Sequence, residues 1–291
     1  MRMVVTGATG SLGTRVIEDL LERVPADRVL AVVPSGRAGA ALAARGVRLA
    51  VADLDVPESL IGVFRPGDRV LLIPADDPAA DRVAQHRAVV DAAAAAGAGL
   101  LAYTSVPGAL QARAADVHRR TEGLVLASGV PYTLLRTNWC TEAYTERLPL
   151  VLHLGVVTQA AGDGRVASAS RADYAAAAVA VLAGERGGHE DRTYELGGDT
   201  AWSLSEYAAE VSRRAGREIP YRAMSYDAYL ASLTAAGLPG FAAELIAGAD
   251  ASIARGQLGG VTGQLSRLIG RPTTPMPWSV AEAMRGLVDA D

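Results

Sequence analysis

The chain begins with Met3-Val4-Val5-Thr6-Gly7-Ala8-Thr9-Gly10-Ser11-Leu12-Gly13, in which a short apolar run leads directly into three glycines. This order predicts a buried strand, a glycine turn and the start of a helix. We expect Gly7 to form the tight turn, Gly10 to let a pyrophosphate approach the backbone, and Gly13 to let the helix pack closely on the strand. The free N–H groups at the helix start, with the positive end of its dipole, then form an anion site. The alternative is an ordinary strand-turn-helix, but a motif that follows a strand and opens a helix is typical of a dinucleotide site.

Composition argues against several classes of protein. The 291 residues are 50% hydrophobic and 21% charged, which is typical of a globular chain with a large core. The net charge is −4 and the basic residues are all scattered arginines, so we expect neither nucleic acid nor a membrane as a partner. A single cysteine, Cys140, allows no internal disulfide, and the four histidines lack metal-ligand spacing. Because the first strand starts at Met3, we expect no signal peptide, and we predict a cytoplasmic protein without a structural metal.

Apolar runs alternate with helical patterns along the first half of the chain. After the first strand, further strands are predicted at Arg28–Val33, Val47–Val51, Arg69–Pro74, Gly99–Thr104 and Pro131–Arg136. Helices are predicted between them at Ser11–Val24, Ala38–Arg45, Asp77–Ala96 and Ala114–Ser128. This alternation with short joints predicts an α/β fold, a Rossmann-type doubly wound parallel sheet.

The pattern loosens in the second half, which predicts a smaller, mainly helical substrate region. A strand at Thr193–Leu196 is expected to return to the main sheet, Asp173 is expected to cap a helix, and Ser203 with Glu206 forms a capping box. The other helices are predicted at Glu142–Leu152, Tyr226–Ala236, Phe241–Ala254 and Val280–Val288, with a turn at Ala160–Gly164. We therefore predict a dinucleotide-binding domain over 1–136 with a returning segment near 171–197, and a substrate-binding region over 137–170 and 198–291.

The residues after the second strand bear on which cofactor is bound. An acidic residue there would accept the ribose 2′-hydroxyl of NAD, whereas an arginine would accommodate the 2′-phosphate of NADP. The chain has Pro34-Ser35-Gly36-Arg37 and no carboxylate at this point. This favours NADP(H) over NAD(H), with Ser35 and Arg37 binding the phosphate, although Arg37 at the start of a helix is also compatible with a solvated side chain.

Residues at the ends of the other strands complete the predicted cofactor site. Asp53 is expected either to accept from the adenine amine or merely to begin a turn, and Leu54 to pack on the ring. The ends of the next two strands are expected to line the crevice, with Thr104 and Ser105 where nicotinamide and substrate meet. The predicted cofactor-binding residues are Gly7, Thr9, Gly10, Ser11, Leu12, Gly13, Ser35, Arg37, Asp53, Leu54, Ile73, Pro74, Ala75, Thr104 and Ser105.

Several stretches together resemble the NmrA-like atypical short-chain reductases, and most of all their bacterial NAD(P)H:quinone oxidoreductases. They are Thr6–Gly13, Val83–Arg87, Ala102–Ser105, Ser128–Arg136, Ala160–Gly164, Arg171–Ala175, Tyr194–Asp199 and Leu265–Thr274. The resemblance implies NADPH on a Rossmann domain and a small-molecule acceptor, such as a quinone. This chain departs from the family in having Pro34 where an arginine is common and Thr137-Asn138-Trp139-Cys140 where Asn-Gly-Trp-Tyr is common. A changed acceptor pocket is therefore expected, with Asn138 and Trp139 in it.

The source of the proton remains open at the level of sequence. Short-chain reductases activate a tyrosine with a lysine, but this chain contains no lysine. Tyr103 lies inside a predicted strand and is expected to be a core ring. His118 is the candidate catalytic acid, because its ordinary pKa near 6.5 suits proton transfer at neutral pH, and water is the alternative. Cys140 is expected to be a small core residue and not a nucleophile.

Two functions fit these features. The first is NAD(P)H-dependent reduction, by hydride transfer, of a quinone or a related activated carbonyl, enone or imine. The second is a non-enzymatic redox sensor of the NmrA type, which would bind oxidised and reduced cofactor differently without turnover. The sequence leaves the acceptor and the oligomeric state open.

Overall fold

The computed structural model describes residues 1–74, 81–108, 115–184 and 188–288. The chain forms two compact units. The N-terminal unit comprises Met1–Val106, Asp116–Thr137 and Tyr174–Tyr194, and the C-terminal unit comprises Pro107–Ala115, Asn138–Asp173 and Glu195–Asp291. Across the described ranges, no helix combines the length and the apolar character that crossing a bilayer requires.

The strands and helices of the described residues are numbered in chain order. The strands are β1 Met3–Val5, β2 Val29–Val33, β3 Arg48–Val51, β4 Arg69–Leu72, β5 Leu100–Ser105, β6 Tyr132–Thr137, β7 Val157–Gln159, β8 Arg165–Val166, β9 Arg192–Leu196, β10 Trp202–Ser203 and β11 Tyr221–Ala223. The helices are α1 Ser11–Leu21, α2 Ala40–Ala44, α3 Arg82–Ala95, α4 Ala115–Ala127, α5 Glu142–Thr145, α6 Leu148–Leu154, α7 Arg171–Ala183, α8 Leu204–Ala215, α9 Tyr226–Ala235, α10 Gly240–Ala254, α11 Gln264–Ile269 and α12 Met276–Val288.

A seven-stranded sheet with the order β3-β2-β1-β4-β5-β6-β9 organises the N-terminal unit. The pairs among its first six strands are all parallel, with registers such as Val5 opposite Ala31 and Leu71. Strands β1, β2, β4 and β5 are buried along their whole length, which explains their nearly continuous apolar sequence. The predicted doubly wound α/β fold is confirmed, and β1 lies at the point where the strand order reverses.

Helix α1 shows how the sequence sets an element boundary. Its buried residues Gly13, Val16, Ile17 and Leu20 recur at helical spacing and form one face. The sequence predicted a helix to Val24, but α1 ends at Leu21. Pro25 explains the earlier end, because the residue before a proline is disfavoured in the helical region.

The C-terminal unit packs short strands and helices around an aromatic centre. Strand β10 pairs with β8 in antiparallel fashion, and β11 pairs with β7 in parallel fashion. The rings of Tyr144 and Trp202 meet edge to face with centroids 4.8 Å apart, and Tyr207 packs beside both. The capping box of Ser203 and Glu206 is confirmed at the start of α8.

Two predictions in this unit were wrong. The single helix expected over Glu142–Leu152 is two helices, α5 and α6, and Pro149 lies in the first turn of α6 where its missing N–H costs nothing. Asp173 does not cap α7. Ser170 takes that role, since its Oγ accepts the N–H of Asp173 at 3.1 Å, and the Asp173 carboxylate accepts from the Ser170 hydroxyl at 2.9 Å.

Candidate cofactor site and a polar cavity

Two of the three glycines in the turn after β1 are required by the fold. Gly7 has a φ of +62°, and a Cβ there would lie 2.9 Å from the carbonyl oxygen of Ile73. A Cβ on Gly13 would overlap the carbonyl oxygen of Gly7. Gly7 therefore lets β1 turn beside the end of β4, and Gly13 lets α1 pack against the turn.

Gly10 differs, because the chain leaves room for a side chain at this position. It precedes α1 with φ −75° and ψ 165°, and an added Cβ would meet only the Gly7 oxygen at 3.4 Å, an ordinary contact. No side chain caps the helix. The N–H groups of Ser11, Leu12 and Gly13 thus lack intrahelical partners, as in the first turn of any helix. Together with the dipole, these groups can hold an anion such as a pyrophosphate.

The turn after β2 carries the residues predicted to select the cofactor. Ser35, Gly36 and Arg37 are all exposed in the structure. The Ser35 Oγ accepts the N–H of Ala38 at 3.2 Å, which stabilises the turn. Within the described ranges the guanidinium of Arg37 has no ion pair. An exposed, unpaired cation after β2 is suited to a 2′-phosphate.

Asp53 begins a turn, one of the two roles considered for it. Its Oδ1 accepts the N–H of Asp55 at 3.0 Å, and its main chain exchanges bonds with the Ser59 hydroxyl. The side chain is exposed, so an adenine amine can still reach it. Leu54 is half-buried against the core of the N-terminal unit.

The ends of β4 and β5 are held by internal hydrogen bonds. The Ile73 N–H donates to Thr6 Oγ1 at 3.3 Å, which places Ile73 and Pro74 beside the glycine turn. Ala75 lies outside the described residues. Thr104 and Ser105 end β5 as expected, but both are buried and their hydroxyls donate to Leu72 O and to Glu122. Their hydroxyls are therefore engaged within the unit and are not free donors for a ligand.

Glu122 of α4 accepts hydrogen bonds from two residues near the ends of β5 and β6. Arg136 donates two bonds to its carboxylate, at 2.9 and 2.7 Å, and Ser105 donates a third at 2.6 Å. Burial raises the pKa of Glu122, but the bonds from Arg136 and Ser105 outweigh it, and the net shift is downward. These bonds keep the Glu122 carboxylate ionised, and they link the end of β5, through Ser105, to the end of β6, through Arg136.

Tyr103 and His118 form a hydrogen-bonded pair. Tyr103 is fully buried, as the sequence predicted, and its hydroxyl lies 2.8 Å from Nδ1 of the half-buried His118. Burial, with the nearby Arg82 guanidinium, lowers the pKa of His118 to about 4. Burial raises the pKa of Tyr103. At neutral pH both groups are uncharged, so His118 holds no labile imidazolium proton.

Asn138 was expected to be a polar donor in the acceptor pocket, but both ends of its amide serve the fold. Its Nδ2 donates to Leu258 O at 2.9 Å, and its Oδ1 accepts the N–H of Trp139 at 2.7 Å. The sequence could not indicate this bond, because Leu258 is 120 residues away. Burial raises the pKa of Cys140 to about 12, so this thiol is inert.

Trp139 lines a cavity of about 250 Å³ that lies within the C-terminal unit. The other residues around it are Ala143, Tyr144, Glu146, Arg147, Gln159, Arg171, Ile246 and Asp250. Sequence reasoning predicted Trp139 as a pocket residue and missed the rest of this site, since its residues come from separate elements and form no motif. Among the rest, only Asp250 gave a signal, as one of two carboxylates, with Glu244, within the mainly apolar α10. Across the described residues, no cluster of three or more His, Cys, Asp or Glu side chains suits a metal ion.

Comparison with known proteins identifies the family. A family model described as NAD(P)H-binding matches residues 7–185. Quinone oxidoreductase 2 of Escherichia coli (strain K12) is 41% identical over 281 residues, which cover 96% of this chain and 97% of that protein. The crystal structure of the E. coli NADPH-dependent quinone oxidoreductase complexed with NADPH gives a TM-score of 0.92 at 40% identity, covering 97% of this chain and 99% of that one. Triphenylmethane reductase of Citrobacter sp. complexed with NADP(H) gives 0.90 at 33% identity, covering 97% and 99%. The chain therefore belongs to the NAD(P)H-binding family.

Proposed function

We propose that this chain is an NADPH-dependent oxidoreductase that reduces a quinone or a related activated carbonyl, enone or imine. The observation that carries the proposal is the turn at Gly10. It lies after the central strand, its N–H groups are open to an anion, and the fold does not itself need a glycine there. The names of the E. coli and Citrobacter relatives support a reductase with a phosphorylated nicotinamide cofactor.

The residues after β2 support NADPH over NADH. No carboxylate follows Val33 to accept a ribose 2′-hydroxyl. Arg37 and the Ser35 hydroxyl are exposed where a 2′-phosphate would be held. The first turn of α1 would hold the pyrophosphate, and Asp53 and Leu54 would contact the adenine.

The chemistry needs orientation more than a strong acid. Bound NADPH supplies a hydride. His118 is neutral near pH 7 because its pKa is lowered to about 4, so it does not protonate the product as an imidazolium. Tyr103 lacks the lysine that would lower its pKa. A reduced quinone oxygen is a stabilised phenolate, and water suffices to protonate it. The chain contributes binding and positioning.

The test is an acceptor screen on the full chain after removal of bound nucleotide. We expect NADPH to bind more tightly than NADH by calorimetry, and NADPH to be consumed with at least one quinone at the nicotinamide absorbance. Gly10→Val serves as the control for background oxidation. Binding of cofactor without turnover of any quinone, carbonyl, enone or imine would overturn the proposal and leave the redox sensor.

A further inference from the structure

The cavity of the C-terminal unit holds buried polar groups that no residue of the described chain satisfies. The Tyr144 hydroxyl and Gln159 Oε1 are buried without a hydrogen-bond partner there, and their residues are only 3% and 6% exposed. Asp250, 3% exposed, uses Oδ2 to accept the N–H of Ala160 at 2.7 Å. Its other carboxylate oxygen has no partner among the described residues. Buried polar groups are normally paired, so the two buried unsatisfied groups, together with the unpaired Asp250 oxygen beside the same cavity, indicate a ligand that pairs with them.

The polar groups define what the ligand must offer. Gln159 Oε1 can only accept a hydrogen bond, whereas Asp250, whose pKa burial raises to about 7, is present in both its ionised and its protonated form near neutral pH. Burial raises the pKa of Tyr144 well above its ordinary value, so its hydroxyl stays protonated and can donate. A plain quinone has only carbonyl acceptors, so it would leave Gln159 Oε1 without a donor. A ligand with a hydroxyl group also pairs with Gln159 Oε1.

The charges of the lining favour a neutral ligand. Arg171 is paired with Glu146, and Arg147 donates to the Tyr229 hydroxyl at 2.8 Å. The positive charges of the two arginines disfavour a ligand with an ammonium group. The carboxylates of Glu146 and Asp250 disfavour a ligand with an acidic group. Of the hydrogen-bond donors that a ligand can carry, a neutral hydroxyl group is therefore favoured.

The size and the apolar walls favour an aromatic ring. Trp139 offers a flat face, and Ala143 and Ile246 complete the apolar part of the lining. A cavity of about 150 Å³ holds benzene, so one of about 250 Å³ has room for two fused rings.

We propose that this cavity binds a neutral one- or two-ring phenol, whose hydroxyl donates to Gln159 Oε1 and whose ring lies on Trp139. The quinol formed by quinone reduction belongs to this class, and that identification rests on the proposed function. The cavity then prefers the reduced product to the quinone, because only the quinol carries the O–H donors.

The test uses 1-naphthol and 1-methoxynaphthalene, which share a ring system but differ in the O–H donor. Calorimetry on the full chain without nucleotide is expected to show 1-naphthol binding about tenfold more tightly, the scale of a buried hydrogen bond. Gln159→Leu should remove most of this preference, with Gln159→Met as a second variant. Thr158→Val is the matched control, since Thr158 lies on the same strand but on its opposite face, and it should keep the preference.

Equal affinity for both compounds, no binding of either, or a preference that survives both Gln159 variants would overturn the site. The result of the acceptor screen is interpreted separately from the result of the naphthol binding experiment. Quinone turnover without naphthol binding defeats only the cavity proposal, whereas naphthol binding without any turnover defeats only the reductase.

Discussion

We attribute the glycine at position 10 to the space that a bound pyrophosphate needs, since the fold itself does not require a glycine there. The Gly10 backbone is extended and an added Cβ meets nothing closer than 3.4 Å, so the fold accepts a larger residue. We expect Gly10→Val to abolish measurable NADPH binding by calorimetry, because the side chain fills the space of the pyrophosphate. The circular dichroism spectrum and melting temperature should remain close to those of the wild type.

Gly13 provides the contrast to Gly10. A Cβ there overlaps the Gly7 carbonyl, so Gly13→Ala should lower stability as well as binding.

The Gly10→Val prediction is contradicted if the folded variant binds NADPH with normal affinity. The glycine turn would then not be part of the cofactor site.

Arg37 is the side chain that we expect to distinguish NADPH from NADH. Arg37→Ala should weaken NADPH by about 1.5–3 kcal/mol, the scale of a hydrogen bond to a charged group, and leave NADH almost unchanged. Arg45→Ala is the control, because Arg45 is an exposed arginine at the end of α2 that pairs with Glu18. Equal losses for both cofactors would make Arg37 a solvated surface residue.

His118 tests where the proton comes from. A positioned acid contributes roughly 10²–10⁴-fold to turnover. Since the pKa of His118 is lowered to about 4 and Tyr103 occupies its Nδ1, we expect His118→Gln to lower turnover by less than about tenfold between pH 6 and 8. A hundredfold fall with unchanged NADPH affinity would make His118 the acid.

At the scale of elements, the long periodic segments could be predicted and the short ones could not. The first six strands and helices α9 and α10 were each predicted within a few residues of their observed bounds, and the capping box marked the start of α8. Strands β7, β8, β10 and β11 have two or three residues each, too few to show a period, and their pairing partners are distant in sequence. The break between α5 and α6 was missed, although Pro149 was a visible local signal.

The candidate site divides in the same way. The glycine motif is local, since its three glycines lie within seven positions of each other, although the carbonyl that crowds Gly7 belongs to the distant Ile73. The cavity around Asp250 depends on contacts such as the bond from Ala160, 90 residues away, and no sequence pattern encodes it. The hydroxyl of Ser105 was placed correctly at the end of β5, but its bond to Glu122 of α4 is a tertiary contact.

Asp173 gives a prediction at this scale, because it ties the start of α7 to the segment before α12. Its buried carboxylate accepts from Arg271 at 2.6 Å and from the N–H of Thr274 at 2.8 Å. Asp173→Ala removes the acceptor of the Thr274 N–H and one of the acceptors of the half-exposed Arg271, and we expect the free energy of unfolding to fall by about 1–3 kcal/mol. Urea denaturation measures it. Asp116→Ala, which removes only an exposed pair with Arg119, should cost less than about 1 kcal/mol.

At the scale of the whole molecule, two buried groups, one in each unit, make opposite contributions to the response of stability to acid. His86 in the N-terminal unit is 1% exposed, and burial, with His118 and Arg82 nearby, lowers its pKa to about 4. Between pH 6.5 and 4 the unfolded chain binds more protons at this site, so stability falls as pH falls. Asp250 in the C-terminal unit has its pKa raised by burial to about 7. Between pH 7 and 4 the folded chain binds more protons there, so stability rises as pH falls.

The two contributions nearly cancel, and single variants should expose each. From pH 7 to pH 5, His86 removes about 2 kcal/mol of stability and Asp250 adds about 2 kcal/mol by proton linkage. Asp250→Asn keeps an oxygen for the Ala160 N–H but no longer titrates, so its unfolding free energy should drop on acidification about 2 kcal/mol more than that of the wild type. His86→Gln keeps a donor for Thr121, which the histidine contacts at 2.7 Å, and should drop about 2 kcal/mol less. Urea denaturation at pH 5 and pH 7 measures both differences. Parallel pH profiles for the three proteins would mean that neither group holds its shifted pKa in the folded chain, and a reversal of the two signs would contradict the assignment of the protonation states.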